Sequence, residues 1–194
     1  ISGNRMGEPF VDEKGAGGGV YCRNTQAIVE NCIICDNSAY LWGGGIYIEG
    51  ASLTLSGSSI CNNQAYDGGG VFINSSLYQI SDCQINDNTA NDGAGLYSQL
   101  NLPSFISDSD ISGNKGHLAV SGFTFHEGIG LRVNNTNISN CTITNNVAEV
   151  AIGLARGAGI YCYNSLLIDC QITNNMATSS SLIGGSGIEA SGST

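Results

Sequence analysis

The chain has 194 residues and carries 16 acidic against 6 basic side chains, a net charge of −10. That balance argues against nucleic acid and anionic membrane surfaces as partners, because both select basic patches. No apolar run reaches the ~20 residues of a spanning helix, so no membrane insertion is expected. The 28 glycines among many Asn and Ser suit a secreted or surface-displayed protein.

Read in chain order, the sequence repeats. A Gly-rich start followed by an apolar residue occurs at Gly17, Gly43, Gly68, Gly93, Gly128, Gly157 and Gly185, at spacings of 26, 25, 25, 35, 29 and 28 residues. Val20, Ile46, Val71, Leu96, Leu131, Ile160 and Ile188 follow these starts, and a second inward position lies two residues further on. Next comes an apolar column of Val29, Leu55, Ile80, Ile106, Ile138 and Leu167. The motif I-x-x-N closes each copy, at Ile1/Asn4, Ile34/Asn37, Ile60/Asn63, Ile85/Asn88, Ile111/Asn114, Ile143/Asn146 and Ile172/Asn175. Apolar residues at i and i+2 lie on one face of a strand, and no stretch keeps a helical period. Each copy therefore reads as three short strands separated by Gly- and Asn-rich bends. The expected fold is all-β, a right-handed parallel β-helix solenoid of about seven coils of ~25–29 residues. Residues 1–194 form a single domain, expected to be a segment of a longer solenoid or a filament subunit that meets other coils at its open ends.

In such a coil every column is a stack spaced ~4.8 Å apart. The expected ladder is Asn4, Asn37, Asn63, Asn88, Asn114, Asn146 and Asn175, each amide bonded to the Asn above and below. Most of the eight cysteines fall in inward columns, where a thiol is a small buried hydrophobe. Two pairs share a column one rung apart and are the disulfide candidates, Cys35 with Cys61 and Cys141 with Cys170. Cys32-x-x-Cys35 is half a zinc motif with no second half.

Residues with chemistry to offer are sparse. Asp67 and Asp92 precede Gly clusters in adjacent rungs, and Asp108 lies near Asp110. Stacked carboxylates at a turn can hold Ca²⁺, but solvated turn residues are the simpler reading and no cofactor is expected. Asp36 and Asp87 share one bend column, Asp82 and Asp108 another, and the alignment sets no Arg or Lys beside either pair. His117, His126 and Glu127 fall in an expanded loop, residues 115 to 127, together with several apolar residues. Tyr21, Tyr47, Phe72, Tyr97, Arg132, Tyr161 and Glu189 form an outward column, read as stacking support or as a platform for sugar rings. Sequons begin at Asn74, Asn134, Asn137 and Asn140, with Asn74 and Asn134 placed at bends and taken as the glycosylation candidates.

The starts Gly43-Gly44-Gly45-Ile46, Gly68-Gly69-Gly70-Val71 and Gly93-Ala94-Gly95-Leu96, each with a later I-x-x-N, resemble the repeats of chlamydial polymorphic outer membrane proteins. Those carry G-G-A-[ILV] and F-x-x-N, so Ile stands here where they have Phe. The likeness runs over nearly all of the chain. It implies the surface-exposed passenger of an adhesin. The expected function is thus an extracellular structural or adhesive β-helix without catalysis, located outside the cell or on its surface. Its partners would be other coils, and glycans or a host-cell surface. The alternative is a polysaccharide lyase, hydrolase or glycan-binding module on the same fold.

Overall fold

The computed structural model describes residues 1–5, 15–99, 102–116 and 124–192. The described chain winds as a parallel β-helix. A seven-stranded sheet runs from Val20–Arg23 to Ile188–Ser191. A second sheet of six strands runs from Gln26–Glu30 to Leu166–Ile168, and a third, also of six, from Ile33–Cys35 to Gln171–Thr173. Every neighbour in a sheet is the parallel strand one turn away. The solenoid makes about six turns where seven were expected. Residues 1–5 contribute isolated bridges at Ser2 and Arg5 and the ladder bonds of Asn4, but no strand, and Ile188–Ser191 pairs only in the first sheet.

The bends are written in residues that tolerate a left-handed backbone. Between the first and second sheets stand Asn24, Gly50, Ser75, Asn135, Asn164 and Gly192. Between the second and third stand Asn31, Gly57, Asp82, Asp108, Asn140 and Asp169, and after the third Asp36, Asn62, Asp87, Gly113, Asn145 and Asn174. All have φ between 48° and 65°, where Asn and Asp are the least strained residues after Gly. These corners account for Asp36, Asp87, Asp82 and Asp108 by backbone geometry.

Inside the coil Ile34, Ile60, Ile85, Ile111 and Ile143 stack fully buried, with Leu55, Ile80, Ile106 and Ile138 opposite. Tyr78 is an inward surprise. Its neighbour in the next rung, Ser104, is small, and the phenol hydroxyl lies 2.6 Å from Thr136 Oγ1.

The asparagine ladder closes each turn. Asn63 Oδ1 accepts from the backbone N–H of Asn37 at 3.0 Å and from its Nδ2 at 3.1 Å. Asn63 Nδ2 donates to Ile34 O at 2.8 Å and to Asn88 Oδ1 at 3.1 Å. Two acceptor and two donor positions are thus all used, the full capacity of a carboxamide. The pattern repeats at Asn88, Asn114 and Asn146, and it reaches Asn4 at one end and Asn175 at the other. The last glycine of each start is there for the ladder. A Cβ on Gly45 would lie 2.9 Å from Asn63 Nδ2, and one on Gly70 3.0 Å from Asn88 Nδ2.

The corner after the ladder changes along the chain. In early rungs it is tight, and a Cβ on Gly44 would meet Gln64 O at 2.4 Å. In later rungs Ala94, Ile129 and Ala158 replace that middle glycine. They build a second small core with Ala90, Ala148, Val150, Ala155 and Ala177. Two further sheets flank it, including the three-stranded one of Thr124–Glu127, Gly153–Arg156 and Leu182–Ile183.

Cys35 and Cys61 are paired neighbours in the third sheet, with Cα atoms 4.5 Å apart, and are disulfide-bonded. Cys141 and Cys170, expected as a second bridge, are free thiols. Each turns back onto its own rung, Cys141 Sγ to Ser139 O at 3.2 Å and Cys170 Sγ to Ile168 O at 3.3 Å. Ser58 and Ser109 use their hydroxyls in the same way in this column.

Asn63→Ala removes the acceptor of two Asn37 donors and strands a buried backbone N–H, at about 1–3 kcal/mol for each orphaned group. A loss of about 3 kcal/mol in urea unfolding is expected. An unchanged unfolding midpoint would contradict the ladder's role.

Candidate functional site

Two columns meet on the outer face of the first sheet. One is the outward column of the strands, whose register aligns Tyr21, Tyr47, Phe72, Tyr97, Arg132, Tyr161 and Glu189. The other is the residue just before each Gly turn. Trp42, Asp67 and Asp92 bridge one to the next, and Glu127 pairs with Arg156. The positive-φ glycine between them, such as Gly93 at 51°, reverses the chain tightly enough to set the two columns side by side.

The first half of this face is aromatic. Ring centroids of Tyr21 and Tyr47 lie 5.2 Å apart and those of Tyr47 and Phe72 5.7 Å, both stacked, while Tyr97 meets Phe72 edge-on at 4.9 Å. Trp42 covers Tyr47 and Phe72 from the corner column. The second half is ionic. Arg132 lies over the Tyr97 ring at 4.4 Å and Arg156 over Tyr161 at 4.9 Å, distances at which a guanidinium is attracted to a ring face. Arg132 also reaches Asp92 at 3.4 Å and Glu127 at 3.0 Å. Arg156 bonds Glu127, through Nε at 2.8 Å, and Glu189 at 3.2 Å. The backbone N–H of Glu127 donates to Asp92 Oδ1 at 2.9 Å.

Burial pushes the Asp67 carboxyl up to about 7, and the charge of Asp92 adds to this against the pull of Arg132. Burial likewise raises Asp92 to about 6, opposed by Arg132 and by the Glu127 N–H. Burial works against the charge of Arg132, but Asp92, Tyr97 and Glu127 outweigh it and hold the guanidinium more firmly charged than usual. The arrangement sets two adjacent carboxyls that exchange protons near neutrality beside a fixed cation.

The structure therefore joins Asp67 and Asp92 with Glu127, and adds Arg132 and Arg156, which the alignment of the Asn columns left apart. The signal was present. Aligning on the residue before each Gly start gives Trp42, Asp67, Asp92, Glu127 and Arg156 in sequence. His126 is buried and packs on Gly116, where a Cβ would lie 2.3 Å from its Nδ1, whereas the adjacent Glu127 joins the ionic face. His117 lies outside the described residues. Among the described residues, no group of three or more His, Cys, Asp and Glu side chains is placed to hold a metal ion. In the outward column Tyr21, Tyr47 and Phe72 stack, Tyr97 meets Phe72 edge-on, and Arg132 lies on Tyr97. Asn74 and Asn134 end strands of the first sheet and are part-buried; Asn134 Oδ1 is enclosed, and Asn74 Oδ1 accepts from Ser75 Oγ at 3.2 Å. A small cleft of about 290 Å³ at the expanded corner is lined by Glu149, Val150 and Ser179 among others.

Parallel coils closed by a buried amide ladder define a β-helix protein. The family model described as the right handed beta helix region matches residues 18–194, and the chain belongs to that family. Nothing among curated proteins or solved structures matches it.

Both raised carboxyls favour the protonated folded form, so their contribution to stability is complete below about pH 4 and is lost as pH rises through 6 to 7. The thermal midpoint is expected to fall between pH 5 and pH 8, and Asp67→Asn to recover part of that fall at pH 8. A midpoint that is flat or rising over this range in the parent protein would contradict the assignment.

Proposed function

We propose that the chain is a non-catalytic extracellular β-helix that serves as a structural or adhesive surface element. The observation that carries this reading is that both arginines of the ionic half of the outer face are spent on its carboxylates and rings. Arg132 and Arg156 are each shared between carboxylates and a tyrosine ring, which continues the aromatic stack by other means. The unbroken register from rung to rung supports a scaffold, and the likeness of the Gly-start and I-x-x-N repeats to chlamydial polymorphic outer membrane proteins supports surface display. The partners proposed are further coils at the solenoid ends, and glycans or a host-cell surface along its flank.

One observation favours a second reading, a carbohydrate-active enzyme. Asp67 and Asp92 are adjacent carboxyls held at about 7 and about 6 beside Arg132, and paired carboxyls of unequal proton affinity can share general acid and base roles. A screen of neutral and acidic polysaccharides separates the two. The structural reading expects no new reducing ends or unsaturated products, with adhesion of chain-coated beads to cells unaffected by Asp92→Asn. Turnover that Asp92→Asn abolishes would overturn it in favour of the enzyme.

A further inference from the structure

The second sheet carries an unusual outer flank. Phe105, Asn137 and Leu166 are partners across three successive rungs, and all three are exposed. Phe105 and Leu166 are about half exposed, at 47% and 46%, and Ile168, two residues along the same strand from Leu166, is exposed at 47%. Phe105 and Leu166 flank Asn137 one rung away on either side, so a group carried by Asn137 would lie over both side chains of this patch. Between Phe105 and Leu166, in a column that continues through Gln79, Thr54 and Ile28, stands Asn137, which opens the sequon Asn137-Ile138-Ser139. Ile138 is fully buried, so strand alternation turns Asn137 and Ser139 outward on one face.

The remaining sequons are less open to modification. Asn134 has its Oδ1 enclosed, Asn140 donates its Nδ2 to Asp108 Oδ1 at 3.3 Å from a left-handed corner, and Asn74 is part-buried at a strand end.

We infer that Asn137 is the acceptor of an N-linked oligosaccharide whose first sugars lie over Phe105 and Leu166 and cover this patch. The donor is a lipid-linked diphospho-oligosaccharide. A bond forms from Asn137 Nδ2 to the anomeric carbon, the bond from that carbon to the diphosphate oxygen breaks, the amide loses a proton, and the lipid diphosphate leaves. Sugar rings present an apolar C–H face that stacks on aromatic and aliphatic side chains, so the flanking residues give the glycan a seat. Asn74 and Asn134 are the sites expected from bends alone, and the proposal places Asn137 ahead of them.

This inference rests on the extracellular reading, and the two are tested apart. The chain is secreted from cultured mammalian cells behind a cleavable leader, and its glycans are mapped by peptide mass spectrometry. Occupancy of Asn137 in most molecules is expected, lost in Asn137→Gln and in Ser139→Ala and kept in Asn134→Gln. Enzymatic removal of the glycan from the folded protein is expected to raise binding of a hydrophobic dye severalfold. A secreted, folded chain unmodified at Asn137, or dye binding that does not respond to deglycosylation, would overturn the proposal. Fractionation of the source cells with an antibody to the chain reads its natural location independently of the acceptor site.

Discussion

A fully bonded amide, buried once per turn, is the constraint on which the rest of this molecule depends. A carboxamide offers two acceptor positions and two donors, and Asn63 uses all of them inside the coil. Burying such a group unpaired is costly, so each rung has a strong preference for one height and one register relative to its neighbours. The glycine requirement follows. The amide occupies the space where a Cβ of Gly45, Gly70 or Gly95 would sit, which links the Gly starts to the I-x-x-N motif twenty or so residues away by direct contact. The isoleucine stack of Ile34, Ile60 and Ile85 then falls into line because it is tied to the same strand.

With register set from inside, the outer face is free to vary. The column over the first sheet passes from rings to guanidinium groups and carboxylates without a break in pairing. Arg132 serves both halves, by its charge toward Asp92 and Glu127 and by its flat face toward Tyr97. Asp67 and Asp92 are the unbalanced members of this ladder. Their partly buried positions leave two carboxyls poised near neutrality on a face where charge and aromatic surface meet.

How much of this was legible depended on whether a column is defined by shape or by partner. The ladder, the inward columns and the coil bends were readable because each imposes one chemistry at a fixed spacing: a carboxamide, an aliphatic side chain, a residue tolerant of positive φ. The Cys35–Cys61 pair and the Cys141–Cys170 pair looked alike in the alignment, yet only the former is bonded. Spacing along the axis is the same for both, but the thiols of the latter turn to carbonyls of their own rungs, a choice of rotamer that spacing does not encode. The ionic face was missed because the expanded loop before Glu127 shifts it from the Asn columns, and only alignment on the Gly turn restores Glu127 and Arg156 to the column of Asp67 and Asp92. The turn count came out one too high because a motif was counted as a turn, whereas Ile1–Asn4 supplies a bridge at Ser2 and the last ladder amide but no strand.

The most direct test of the ladder is the exchange rate of its side-chain amide protons, read by NMR in heavy water. Carboxamide protons of an exposed asparagine exchange freely, whereas those of a bonded, buried one exchange only when the structure opens. In unglycosylated protein the Nδ2 protons of Asn63, Asn88 and Asn114 are expected to be protected as strongly as the backbone amides of Ile60, Ile85 and Ile111, while those of the exposed Asn137 exchange at the rate of a free amide. Exchange at Asn88 as fast as at Asn137 would contradict the claim that a buried amide ladder sets the register of this β-helix.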